Sequence, residues 1–296
     1  ARMKQKTVLV TSNFDNVGSL PCNTSIGGPA KGIIVREIDA LGGQMAVTAD
    51  KTYLQMKMLN TAKGPGVQSL RGQADKIKYP RYMQKVLKEQ ENLDIVEGMV
   101  EDLIVEDNTV KGVILDDGQK IMGKMVILTT GTYLKAEILC GHQKHPSGPD
   151  QQKESKYLST PLAKLGFRIQ RLKTGTPPRV DINSVDYSKT TLQPGTDAKL
   201  AFSFRTKEFV PIDQQVPCYL TYTNEKTHQI IRDNLHKSSM YGGIVKGVGP
   251  RYCPSIEDKI VKFADKKQHQ IFLEPESREM NTIYVQGFSS SLPHDV

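Results

Sequence analysis

Apolar and polar positions alternate in short blocks along this chain, and the blocks predict mixed α and β structure. Residues 6–13 carry a β-branched apolar run typical of a buried parallel strand. A helix with Pro29 in its first turn is predicted through Ile33, Ile34, Ile38 and Leu41, stopping at Gly42 and Gly43. Helical spacing continues over residues 53–59. Residues 63–66 force a loop, and residues 73–90 predict another helix, interrupted near Pro80. Residues 92–106 read as strands paired with each other, and residues 109–115 as a strand turning at Asp116, Asp117 and Gly118 into a hairpin arm. Residues 124–132 read as a buried apolar strand, ending at Gly131, where a missing Cβ permits close approach of a ligand. Beyond Gly141 the pattern predicts a loop over 142–153 and a short helix over 159–165. Arg171, Lys173 and Arg179, around a double proline that a central strand does not tolerate, mark a boundary. Strands are then expected at 200–204 and 216–222, a helix at 225–236, and a returning strand at 270–276.

Residues 1–5 read as a helix tail leading into the first strand, which is the second half of a βαβ unit. No Gly-x-Gly-x-x-Gly occurs, so a glycine-rich phosphate-binding turn is expected upstream of residue 1. The pattern also stops at residues 289–296 without a closing element. The expectation is a piece of a larger protein.

With 296 residues, 38% of them hydrophobic, the chain can bury a large core divided between two units. Its net charge of +8 favours a polyanionic partner. Four cysteines without a Cys-x-x-Cys pair or a Cys/His cluster predict reduced thiols in a cytosol-like compartment, not a disulfide framework or structural zinc. No apolar run has the length that crosses a bilayer.

Two cysteines stand where backbone amides stabilise a thiolate. Cys253 precedes a helix start whose Ser255 and Asp258 form a capping box. The helix dipole and Arg251 would lower a thiol pKa from about 8.5 towards neutrality there. Cys22 opens a small-residue loop feeding the helix of residues 31–41. Cys140 and Cys218, in apolar or strand-like runs, are expected to be small buried hydrophobes. His228 and His236 share one predicted helix, where a polar face is favoured over a metal site. Glu274 and Glu276 flank Pro275; structural hydrogen bonding is favoured over acid–base chemistry.

Taken together, residues 22–43, 59–66, 71–76, 171–179, 215–228, 240–267 and 270–276 resemble the GidA/MnmG family across nearly the whole chain. One local departure is Asn23-Thr24-Ser25, where Asn-Pro and a small residue would be expected. The resemblance implies an α/β fold, an incomplete Rossmann-like FAD-binding domain with an inserted α/β domain. Its expected division is 1–175 for the FAD-binding domain, 176–267 for the insert and 268–296 for the return. The implied function is FAD-dependent tRNA modification: a carboxymethylaminomethyl or aminomethyl group is added at C5 of wobble uridine 34. NADH is the implied reductant and a methylene-folate the one-carbon donor. A GTPase partner and a homodimer complete the expected assembly.

The same resemblance places Val100 and Ser155 at FAD-contact positions, with Gly131 beside the flavin nucleotide. NAD contact falls on Gly249, Pro250, Arg251, Tyr252, Pro254, Ser255, Ile256, Glu257, Asp258, Lys259, Ile260, Val261, Lys262 and Phe263. Cys22 and Cys253 match the cysteines that act as nucleophile or general base. Arg171, Lys173 and Arg179, with Lys63, Arg71 and Lys76, are candidates for tRNA phosphates or cofactor contacts, and Lys31 and Lys63 for the cofactor side. No metal is expected. A bacterial cytoplasm or a mitochondrial matrix both suit this function. A generic flavin- and NAD-dependent oxidoreductase would need a redox cysteine pair close in sequence. A non-catalytic tRNA-binding or GTPase-docking piece is the third reading.

Overall fold

A computed structural model describes residues 1–245, 247 and 254–296 of the chain. The elements run β1 (Thr7–Thr11), β2 (Ser25–Gly27), α1 (Lys31–Ala40), α2 (Met45–Thr52), β3 (Tyr53–Leu59), β4 (Ser69–Ala74) and α3 (Lys78–Lys88). Then come β5 (Leu93–Glu97), β6 (Val100–Glu106), β7 (Thr109–Leu115), β8 (Lys120–Met122), β9 (Glu137–Cys140), β10 (Gln143–Pro146) and α4 (Ser159–Lys164). The rest is β11 (Arg179–Asp181), β12 (Thr191–Gln193), β13 (Cys218–Tyr222), α5 (Glu225–Asp233), α6 (Ile256–Lys262), β14 (Gln270–Pro275) and β15 (Thr282–Gln286). Among the described residues, no helix is long and apolar enough to cross a membrane.

The result is mixed α/β with mostly small sheets. A five-stranded antiparallel sheet is ordered β11-β15-β14-β13-β12. A three-stranded sheet, β2-β4-β3, is covered by α1 and α2, and their facing side chains, Ile26, Val35, Ala46, Ala49, Met56 and Leu70, form the main core with Phe202. β1 and β5 pair in parallel, as the β-branched run predicts, while β6-β7-β8 and β9-β10 are hairpin-linked antiparallel units.

Several local expectations give way to tertiary pairing. Residues 53–59 are a strand, not a helix: they pair antiparallel with β4, and burial of Tyr53, Leu54, Gln55 and Met56 outweighs helical spacing. The helix expected from residue 73 begins only at Lys78, because residues 69–74 are needed as the central strand β4. Pro80 does not interrupt α3. It sits in the first turn, where no intrahelical donor is required, and Asp75 caps the end by accepting from Ile77 N and Lys78 N at 2.9 and 3.0 Å. The strands of residues 92–106 do not pair with each other; β5 joins β1 and β6 joins β7. Residues 124–132 are not a buried strand. They find no ladder partner among the described residues, and Met125 and Ile127 are 87% and 86% exposed. Residues 200–204 are likewise not a strand, although Phe202 is fully buried. His228 does not lie on a polar helix face; it is buried and shares a 2.7 Å hydrogen bond with Thr223 Oγ1.

Residues 202–206 are held without sheet pairing by two buried carboxylates. Asp50 accepts from Phe202 N and Ser203 N, and Asp39 accepts from Ser203 Oγ, Phe204 N and Arg205. Burial pushes the Asp39 carboxyl up, but the donors from Arg205, Ser203 and Phe204 outweigh it and hold the group below its ordinary value. The native state therefore favours the charged form. The stabilisation it contributes is present above the unfolded carboxyl value of about 4 and is lost as pH falls through the lower folded value. Acid titration of stability should show this: the Asp39→Asn variant is expected to lose part of the fall in stability seen below about pH 4. An unchanged slope would show that Asp39 does not carry it.

Candidate functional site

Strand register assembles the site. In the five-stranded sheet Tyr284 stands opposite Glu274 on one side and Arg179 on the other. Side chains alternate along each strand, so these three share a face with Thr282, Gln286 and Glu276. The opposite face carries Ile271, Leu273, Ile283, Val285 and Val180, which form their own apolar cluster. One face of the sheet is thus core, and the other is a buried polar surface.

That polar surface is covered by the loop holding Cys22 and by β4. Arg71, opposite Gly27 in the three-stranded sheet, donates to Ser25 Oγ at 2.6 and 3.1 Å and forms an ion pair with Glu274. Glu274 is fully buried; desolvation pushes its carboxyl up, and Arg71 pulls the other way. Its Oε2 has no hydrogen-bond partner among the described residues. Glu276, also fully buried, receives Arg179 Nε on both oxygens at 3.0 Å, Lys76 Nζ at 3.3 Å and Thr282 Oγ1 at 3.1 Å. The preferred structural role for these two glutamates fits those contacts.

Cys22 is half-buried, with its sulfur 4.0 Å from the Tyr284 hydroxyl. Among the described residues the hydrogen-bonding neighbour of the sulfur is this hydroxyl and not a backbone amide. A short strand, β2, lies between Cys22 and α1 in the chain. Arg179 Nη2 donates to Pro21 O at 2.8 Å and Cys22 O at 3.3 Å, and its guanidinium stacks over the Tyr284 ring at 5.3 Å. Asn23 Nδ2 donates to Gln286 Oε1 at 2.6 Å. Lys31 Nζ donates to Ser25 O at 3.0 Å; burial and the neighbouring Arg71 hold its ammonium below the ordinary lysine value, with Cys22 acting in the opposite sense.

The other sequence candidates are dispersed. Cys253, Gly249, Pro250, Arg251 and Tyr252 lie outside the described residues. Only half of the capping box is seen: Asp258 N donates to Ser255 Oγ at 3.2 Å, and the Asp258 carboxylate lies against that same hydroxyl at 3.4 Å instead of the Ser255 N–H. Ile256 and Ile260 face the core with Ile231, and Glu257 Oε1 accepts from Ser291 N, so these three are turned inward. Pro254 and Lys259 are half-buried, and Val261, Lys262 and Phe263 are exposed. Lys173 lies 3.8 Å from Asp258, and Arg171 donates to Lys135 O. Lys63 is exposed. Cys218 is buried as expected, and burial pushes its thiol up to about 12, which leaves it unreactive near neutrality. Cys140 is only half-buried.

Val100 opens β6, and Asp116 accepts from Met99 N at 3.1 Å and from Lys153 Nζ at 3.1 Å. One turn thereby holds both the start of β6 and the segment leading to Ser155. The Ser155 hydroxyl is buried without a partner among the described residues, and Gly131 adopts φ +56°. Among the described residues, no group of three or more His, Cys, Asp or Glu is placed to hold a metal. A hollow of about 480 Å³ lies at Lys51, Tyr53, Asp75 and Arg278, not at Cys22. Pattern reading does not single out Tyr284 or Gln286. The alternation of residues 282–286 was the available signal: it sets Tyr284 opposite in facing to Ile283 and Val285.

Comparison with known proteins agrees with this architecture. The chain is 57% identical over 296 residues to the tRNA uridine 5-carboxymethylaminomethyl modification enzyme MnmG of Bacillus thuringiensis (strain Al Hakam), covering all of this chain and 47% of that protein. The MnmG of Geobacillus kaustophilus (strain HTA426) matches at the same identity and coverage. The chain thus spans about half the length of these curated relatives. The structure of Aquifex aeolicus GidA in its form I crystal superposes with a TM-score of 0.92 at 49% identity, over 99% of this chain and 50% of that one. The form II crystal gives 0.90 at 47% identity, over 99% of this chain and 47% of that one. The family model described as Glucose inhibited division protein A matches residues 1–296 throughout, and the chain belongs to that family.

Proposed function

We propose that this chain is the cysteine-bearing part of an enzyme that modifies the wobble uridine of tRNA at C5; its relatives are named tRNA uridine 5-carboxymethylaminomethyl modification enzymes. The observation that carries the reading is the half-buried Cys22 sulfur beside Tyr284, within a cluster rich in cations. A thiolate there would add to C6 of uracil, sending the C5–C6 electron pair towards C5, where a one-carbon unit is accepted. The C6–S bond breaks again when the C5 proton leaves. Cys22 or Cys253 is the nucleophile, and the other acts as general base.

The residues present suit a flavin. The orphaned hydroxyl of buried Ser155 offers a polar group to a ligand, and Gly131 adopts a left-handed position beside the Tyr133 ring. Val100, Ser155 and Gly131 would hold FAD, which when bound supplies hydride chemistry. The exposed end of the 249–263 stretch, Val261, Lys262 and Phe263, is offered to NADH, and a methylene-folate donates the carbon. Arg171 and Lys173 are offered to tRNA phosphates, and Arg179 supports the Cys22 loop. The reading includes an incomplete Rossmann-like domain with an inserted α/β unit, a GTPase partner, a homodimer and a cytosolic or mitochondrial-matrix setting; residues 268–296 join the sheet of the insert through β14 and β15.

Single Cys22→Ala and Cys253→Ala variants of the full-length protein, assayed with the GTPase partner, test this. At least one is expected to reduce wobble-uridine modification to the uncatalysed background. Full activity in both would overturn the proposal.

A further inference from the structure

The mechanism proposed above uses Cys22 and leaves the buried residues beneath it unassigned. We propose that Tyr284 is a positioning residue for Cys22: its hydroxyl donates to the sulfur in the thiolate form and holds it towards the open side of the loop. This deepens the preceding reading and rests on it for the role of the sulfur, but not for the contact itself.

Three independent placements support the assignment. The Tyr284 hydroxyl lies 4.0 Å from the sulfur, within sulfur hydrogen-bonding reach. The ring has little freedom to leave. It is 3% exposed, sits between Glu274 and Arg179 in strand register, and carries the Arg179 guanidinium on its face. The same Arg179 grips the carbonyls of Pro21 and Cys22, and Glu276 fixes Arg179 from below. The hydroxyl and the backbone of the cysteine are therefore referred to one arginine, so the distance between them is set by a rigid sheet and not by loop motion. Lys31, whose ammonium interacts with Cys22, adds a positive charge on the same side.

The test uses the full-length protein and peptide-resolved alkylation of Cys22 by iodoacetamide as a function of pH. Tyr284→Phe keeps the ring on which Arg179 stacks and removes only the donor. It is expected to move the midpoint of the alkylation curve to higher pH by about half to one unit, and to slow alkylation at pH 7 by about threefold to tenfold. Tyr219→Phe, on the apolar face of the same sheet, is expected to leave the curve unmoved. If Tyr284→Phe gives the native curve with native thermal stability, the inference is wrong. A Tyr284→Phe shift together with full tRNA modification by Cys22→Ala would retain the contact and reject Cys22 as nucleophile, so the two failures are distinguishable.

Discussion

Glu276→Ala is expected to destabilise the protein by about 3–5 kcal/mol, the range found when one partner of a buried ion pair is removed. The carboxylate is fully buried and is the shared acceptor of Arg179, Lys76 and Thr282. Truncation leaves two partly buried cations facing each other without a counter-charge. It also frees Arg179 from the position in which it holds the Cys22 loop. Two effects should therefore appear together: a lower denaturant midpoint, and faster proteolysis near residues 19–24. Glu276→Gln, which keeps one oxygen acceptor, should lose less. A midpoint shift worth under about 1 kcal/mol for the alanine variant would place this network among weak surface pairs and remove it as the clamp of the site.

A loss of similar size, about 3–5 kcal/mol, is expected for Phe202→Ala, as for other fully buried aromatic truncations. The ring fills the core between β2, β4 and α1, and it is fitted against two glycines. A Cβ at Gly27 would lie 2.8 Å from the ring and 2.2 Å from Leu70 O, and one at Gly72 would lie 3.0 Å from the ring. Gly27 has φ +100°, so refilling the space from that side with alanine would be strained as well as crowded. The cavity therefore has no inexpensive route to collapse. Chemical denaturation of Phe202→Ala and Phe202→Leu should rank alanine well below leucine; equal midpoints would mean that the surroundings relax around the loss.

Local sequence carried much of the outline. The β-branched run at 7–11 is a parallel strand, the Ser255 cap and the helix after it are in place, and the α5 start at Asn224 accepts from Thr227 N. The two helix caps depend on residues a few positions apart, and the strand on a β-branched run that any short window contains, although its partner β5 lies some 86 positions on. The Cys22 loop was legible as a site of chemistry because small residues and a cysteine precede a helix. Its actual sulfur neighbour was not legible, since Tyr284 lies 262 positions away.

What the sequence determined alone was the class of structure, the caps and turns, the presence of an uncommon cysteine loop, and the family. Tertiary structure alone decided that residues 53–59 are a strand, that residues 124–132 form no ladder among the described residues, and that Phe202 anchors a core from a segment without regular structure. It also decided that Arg71, Arg179, Glu274, Glu276 and Tyr284 converge beneath Cys22. The physical reason is the same in each case. Strand register and buried ion pairing are long-range choices, made by which faces must leave water together, and no short window of residues contains both partners.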